Sequence, residues 1–354
     1  MSHFLCLKMA AGLRTLYGAL MVLSGVVSVC GNLLLLLVLL LNRELRSDTL
    51  GLTVSFGISD LALGLSTIPF GAYNSLAPAS CCSGEGAVCQ GSGFVFVLLQ
   101  TSSMHSLTWA AADRFTEICF ALSYRRLWTA GRSRAVLGVL WLFCLLHAAL
   151  PLLGFGRYVY SESRFLCCPS FTPDNRWSVA LWMSSGVVVP ILAMCSLYGY
   201  IVYVARKQAR RGTFMCNELH CYYVPANNYL RSSIVMVTTS VCLLVCWLPF
   251  VSVCLYETFS GQQSPALSSA LSAWLALTSS ALNPWITCMM QTRYRAAVRR
   301  SIRRVIQVCL CSETPLESRP QSSALHLDAT NHISTTTTTA ATRPPPSLKT
   351  TTPT

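Results

Sequence analysis

Seven apolar runs, each near the length of a membrane-crossing helix, constrain this chain of 354 residues more than any other feature. They fall at residues 16–41, 50–73, 89–118, 135–154, 179–204, 233–256 and 267–290. A bilayer core about 30 Å thick is crossed by about 20 apolar residues in a helix. None of the runs alternates with the period of two that a membrane β-barrel strand requires. Lipid cannot satisfy open backbone groups, so each run is read as a helix. The expected fold is an all-α membrane protein, a seven-transmembrane helix bundle with a short amphipathic cytoplasmic helix after it.

Charge supports this reading. Only 11% of the residues are charged, against roughly a quarter in a soluble domain whose surface must be wetted. The formal net charge of +13 would suit nucleic acid if the basic residues shared one wet face. They are instead divided between alternate connections. Arg43 and Arg46 follow the first run, Arg125, Arg126, Arg132 and Arg134 the third, Arg206, Lys207, Arg210 and Arg211 the fifth. A further cluster spans residues 293–304. The other side carries only Lys8, Arg14, Arg157, Arg164 and Arg176. The positive-inside rule then places the N-terminus outside and the C-terminus in the cytoplasm. The expected organisation is a short extracellular N-terminus (1–15), a seven-helix domain (16–290), an amphipathic juxtamembrane helix (291–311) and a disordered Ser/Thr/Pro-rich cytoplasmic tail (312–354).

Particular residues recur on particular runs: Gly31-Asn32 on the first, Asp60 on the second, and Cys89 and Asp113-Arg114-Phe115 at the two ends of the third. Trp141 and Pro151 lie on the fourth run, Pro190 and Tyr198 on the fifth, Cys246-Trp247-Leu248-Pro249 on the sixth and Asn283-Pro284 on the seventh. Taken together, this set resembles the rhodopsin-class G-protein-coupled receptors over residues 16–311. Ile68-Pro69-Phe70 and the stretches 96–107 and 134–154 look most like the scaffold of adenosine receptors. The resemblance implies a plasma-membrane, multi-pass receptor without catalytic chemistry, signalling to a heterotrimeric G protein.

It also implies roles for single residues. A carboxylate near the bilayer midplane is costly to bury alone. Asp60 therefore needs partners, and the resemblance implies Ser103, Ser280 and Asn283, with Trp247 beneath the pocket, either around an allosteric sodium ion or as neutral structural glue. Asp113, Arg114 and Tyr198 would form the G-protein switch, with Arg114 paired to Asp113 at rest. Tyr229 stands where many receptors add an acidic partner for that arginine, and Thr287 stands where the family has a tyrosine. Cys89 would be bridged to Cys167 or Cys168, with Cys81 and Cys82 close by for a second bridge. Pro190, Pro249 and Pro284 each remove a helical hydrogen bond and allow a kink.

The ligand pocket is expected at Phe96, Gln100, Trp247, Phe250, Cys254 and Leu277. Amine receptors have an aspartate at the Phe96 position, and a retinal pigment needs a lysine at Leu277. Adenosine receptors use an asparagine at Cys254 and a histidine at Leu277, so adenosine itself is a poor fit. The lining suits a small, neutral or apolar ligand, or none. Residues 293–304 alternate Arg with Tyr294, Val298 and Ile302, as a helix lying on membrane lipids does. Cys309 and Cys311 follow at positions suited to palmitoylation, and the tail could bind arrestin once phosphorylated. No nucleic-acid partner and no metal beyond sodium are expected. A transporter would show internal repeats and several intramembrane charges. The remaining alternative is a non-signalling receptor-like protein that modulates another receptor.

Overall fold

The computed structural model describes residues 2–45, 47–76, 86–211, 213–217, 220–224, 226–290 and 292–312. Contacts divide the chain into a unit of residues 1–307 and a second unit from residue 308; the bundle belongs to the first.

Helix α1 is Ser2–Leu41 and begins within the segment expected as the extracellular N-terminus. Helix α2 comprises Leu50–Leu65 and Thr67–Leu76, broken at Ser66. The break has a local cause. Pro69 has no N–H to give the Leu65 carbonyl, so the turn before it opens. Helix α3 is Ala87–Cys119, and α4 is Ala130–Ala149 with a tight turn at Leu150–Leu153 around Pro151. Helix α5 runs through Arg176–Leu181, a wide π-helical stretch at Trp182–Val188, and Val189–Arg211. Pro190 follows that stretch and cannot donate to the Gly186 carbonyl, which favours the looser turn. Helix α6 is Ala226–Ser260 with Pro249 inside it, and α7 is Ala266–Met290 with Pro284 inside it. Helix α8 is Thr292–Ser312.

Among the described residues, five helices are long and apolar enough to cross a membrane by length and composition alone. Helices α3 and α7, on the third and seventh runs, are not among them. Their apolar character is diluted by polar residues that face the interior: Gln100, Ser102, Ser103 and Ser106 on α3, and Ser272, Ser279, Ser280 and Asn283 on α7, all buried. Lipid-facing helices must be apolar on the outside; central ones need not be. Hydroxyl pairs join these helices to their neighbours. Ser55 meets Ser106 at 2.9 Å, Ser59 meets Ser102 at 2.9 Å, and the Trp141 indole donates to Ser55 at 3.0 Å.

Two hairpins interrupt the helices. Strands β1 (Tyr158–Ser161) and β2 (Leu166–Pro169) pair antiparallel between α4 and α5, with Tyr158 opposite Pro169. Strands β3 (Thr213–Asn217) and β4 (His220–Val224) pair between α5 and α6. The first hairpin packs down on the Cys89 end of α3. A Cβ on Gly93 would stand 2.6 Å from the Tyr158 ring, so only glycine admits that ring. Tyr158 then donates to the Ala148 carbonyl at 2.9 Å, and Gln90 donates to the Tyr158 carbonyl at 3.0 Å.

Helix α8 is held at the other end of the bundle. Asn42 donates to Ser301 at 2.9 Å, and Arg300 pairs with Glu44 at 2.7 Å. Tyr294, Ala297 and Val298 are buried, whereas Ile302 and Ile306 stay exposed.

Candidate functional site: a polar cluster, an aromatic plug and an arginine switch

Asp60 is 1% exposed. Ser103 donates to its Oδ1 at 2.6 Å and Asn283 to its Oδ2 at 3.2 Å. Both donors are neutral, and no cationic side chain among the described residues forms an ion pair with it. Ser280 and Trp247, grouped with Asp60 by sequence, do not reach the carboxylate. Ser280 meets Ser28 at 3.2 Å, and Ser28 donates to the Asp60 backbone carbonyl at 3.2 Å. The Trp247 indole donates to Ser279 at 3.3 Å. The reason is angular: Ser279 and Ser280 are consecutive on α7 and point about a quarter-turn apart. Ser28 and Ser279 were not in the expected set, since serines on apolar runs carry no distinguishing signal.

At the Arg114 end, Arg114 is paired with Glu117 one turn along α3, not with Asp113. Residues three apart on a helix are neighbours, while adjacent ones diverge. Asp113 instead accepts the Tyr124 hydroxyl at 2.7 Å from the connection between α3 and α4. Burial, then this bond to the carboxylate, pushes the Tyr124 hydroxyl up to about 12. The same connection is anchored where the Trp128 indole donates to Thr116 at 2.6 Å. Tyr198 packs against the core from α5. The backbone of Tyr229 lies on α6, but its side chain is outside the described residues, as are the side chains of Cys309 and Cys311. Thr287 is half-buried on α7.

Phe96, Gln100, Trp247, Phe250, Cys254 and Leu277 are each at most 2% exposed. The expected pocket is occupied by the chain itself. Trp182 of α5 meets Phe96 edge-on at 6.0 Å and Phe250 at 6.3 Å. Phe171, just past β2, meets Phe250 at 6.2 Å, and Phe250 meets Trp247 at 5.9 Å and 90°. These centroid distances and steep angles suit aromatic quadrupoles. Gln100 Oε1, Thr101 Oγ1 and Trp182 Nε1 are buried with no partner among the described residues.

Above this plug lies an ion pair that the residue pattern did not reveal. Arg164, in the turn of the β1–β2 hairpin, is 4% exposed and pairs with Glu257 on α6. Its guanidinium also stands 4.8 Å from the Phe171 ring centroid, a cation–π distance. In sequence Glu257 stands one residue past the sixth apolar run, an acid next to a membrane span.

The hairpin is pinned further. Cys89 is bridged to Cys167, which resolves the two sequence alternatives; Cys168 is a buried free thiol. Burial pushes that thiol up to about 11. Cys81 and Cys82 lie outside the described residues. Tyr17 donates to the Arg164 carbonyl at 3.3 Å, and Asn74 to the Phe165 carbonyl at 3.4 Å.

The helix bundle thus carries a buried carboxylate, a disulfide-pinned hairpin over one end and an Arg114–Glu117 pair at the other. Residues 31–286 match the model of the 7 transmembrane receptor (rhodopsin family), and the chain belongs to that family. It is thus a multi-pass plasma-membrane receptor. It is 28% identical to the human (Homo sapiens) histamine H2 receptor over 83% of this chain and 81% of the relative. It is 26% identical to trace amine-associated receptor 6 of Mus musculus over 81% and 85%. It is 25% identical to the adenosine receptor A3 of Canis lupus familiaris over 74% and 83%.

Proposed function

We propose that this receptor passes a signal from the β1–β2 end, facing outward, to a heterotrimeric G protein docking on the Arg114 end in the cytoplasm. The observation that carries this reading is the run of contacts from Arg164 through Phe171, Phe250 and Trp247 to Ser279 on α7. It joins the hairpin to two helices that contain prolines and can therefore take two arrangements. Among the described residues Arg114 forms its ion pair with Glu117, and both side chains are about one-third exposed. Such a pair is weak, so a partner carrying acceptors can draw Arg114 away.

Asp60, Ser103 and Asn283 would hold a sodium ion: a buried carboxylate beside the Ser103 hydroxyl oxygen, with no cationic partner among the described residues, suits a small monovalent cation. The aromatic plug suits a small, neutral or apolar ligand that displaces Phe171, or signalling without one. Two of the relatives are named for amines or histamine. Here Phe96, apolar and buried, offers a cationic amine no counter-charge. The Cys254 thiol and Leu277 likewise give a purine little to bond, so adenosine is disfavoured. The C-terminal face would serve membrane lipids through Ile302 and Ile306, lipidation at Cys309 and Cys311, and arrestin on the Ser/Thr tail.

The test is GTP exchange by G proteins in membranes carrying the wild-type chain or Arg114→Ala. Exchange above control membranes that falls to control with Arg114→Ala is expected. Equal exchange from both, at equal surface expression, would refute coupling through Arg114. Absence of exchange, with co-precipitation of a related receptor, would favour a modulator instead.

A further inference from the structure

The Arg164–Glu257 pair borders a cavity of about 730 Å³, bounded by Tyr160, Ser161, Phe171 and Gln262 among others. It opens above the aromatic plug, between the hairpin and the junction of α6 with α7. Arg164 is incompletely used. Its Nη2 donates to Glu257 Oε2 and its Nη1 to Ser161 at 3.3 Å. Its Nε is buried with no acceptor among the described residues. Glu257 is better supplied: its other oxygen accepts the Ser264 amide at 3.3 Å and the Ser269 hydroxyl at 3.1 Å.

We propose that this cavity is a binding site for a small molecule bearing a carboxylate, which takes Arg164 from Glu257. The argument is one of exchange. A guanidinium this buried must keep an anionic partner, because removing it leaves an uncompensated charge. A cationic ligand would claim Glu257 and strand Arg164. A carboxylate ligand does the reverse, and Glu257 retains two donors when released.

Geometry favours the incomer. Glu257 uses one oxygen on Arg164, whereas a planar carboxylate can take Nε and Nη2 together as a fork. Val159, Phe171 and Pro173, which also border the cavity, would receive the ligand's apolar body. A dianion such as phosphate is less suited, since Glu162 as well as Glu257 borders the same cavity. Because Glu257 sits on α6, two turns beyond Pro249, the exchange would free the outer end of that helix. The proposal concerns occupancy of the cavity and stands whether or not the G-protein reading does.

Binding is measured on the purified full chain in detergent, by thermal unfolding and tryptophan fluorescence, with phenylbutyrate as probe and phenylbutyramide as its neutral counterpart. Phenylbutyrate should raise the unfolding midpoint at millimolar concentration, and phenylbutyramide should not. Glu257→Gln removes the internal competitor's charge and should tighten phenylbutyrate binding about tenfold. Arg164→Gln should abolish the response. Equal effects of acid and amide, no response in either wild type or Glu257→Gln, or weaker binding to Glu257→Gln would each overturn the proposal. Should Arg164→Gln not fold, the acid–amide comparison on the other two proteins decides.

Discussion

Asn32 donates its side-chain amide to the carbonyl of Ser280 at 3.1 Å. That carbonyl lies four residues before Pro284, so no helical N–H reaches it. A residue of α1 thus completes the hydrogen bonding of a kinked α7. Gly31 lets the two helices approach, since a Cβ there would stand 2.8 Å from Pro284 and from Trp285. Asn32→Ala leaves a buried carbonyl unmet and should cost about 1–3 kcal/mol. A lowered thermal midpoint of the purified receptor is expected. An unchanged midpoint would mean the Ser280 carbonyl finds another donor.

The Arg114–Glu117 pair should restrain basal signalling only slightly. Both side chains are about one-third exposed, and such pairs contribute about 0–1 kcal/mol. Glu117→Gln should therefore raise ligand-free GTP exchange by no more than about fivefold. The rise over wild type should grow at low salt, where the wild-type pair tightens. A loss of exchange in Glu117→Gln, at normal expression, would show that Glu117 acts otherwise.

Much of this architecture was legible in the chain because the bilayer imposes it. Run length and polarity mark the helices, and Asp60, Ser103 and Asn283 are polar residues where lipid permits few. Phe96, Gln100, Trp247, Phe250, Cys254 and Leu277, grouped by the family resemblance, are all buried. What fills the space between them was not legible. Trp182 reaches the rings because the π-helical turn before Pro190 rotates it inward, and a widened turn leaves no periodic mark. Arg164 reads in sequence as an ordinary loop cation, and its pairing with Glu257 depends on how the hairpin folds over α6. Arg114 turning to Glu117 depends on side-chain direction, which one-residue spacing does not convey.

Cys168 gives a pH dependence of definite sign. Its thiol is raised from an ordinary 9.0 to about 11 by burial, so the folded state holds the proton more tightly than the unfolded one. The associated stability is complete below pH 9 and is lost as pH rises from about 9 to about 11. Wild type should lose thermal stability across that window more steeply than Cys168→Ala. The folded thiol should also resist maleimide at pH 8 and react once the chain is unfolded, because the thiolate is the nucleophile. Parallel pH curves for the two proteins, or rapid labelling of folded Cys168, would contradict its burial as a neutral thiol.

Asp60 offers the most direct link between the polar cluster and signalling. If a sodium ion completes its coordination, replacing sodium by potassium should raise ligand-free GTP exchange, because the ion favours the arrangement in which Asp60, Ser103 and Asn283 converge. Asp60→Asn keeps the size and one acceptor oxygen while removing the charge that attracts the ion. It should abolish the difference between the two salts, with little loss of fold, since an uncharged amide is cheaper to bury. Ser103→Ala should weaken the sodium effect by about tenfold in concentration, the scale of one hydrogen bond to a charged group. Identical sodium sensitivity in wild type and Asp60→Asn would remove the ion from this cluster and leave the carboxylate a purely structural tie between α2, α3 and α7.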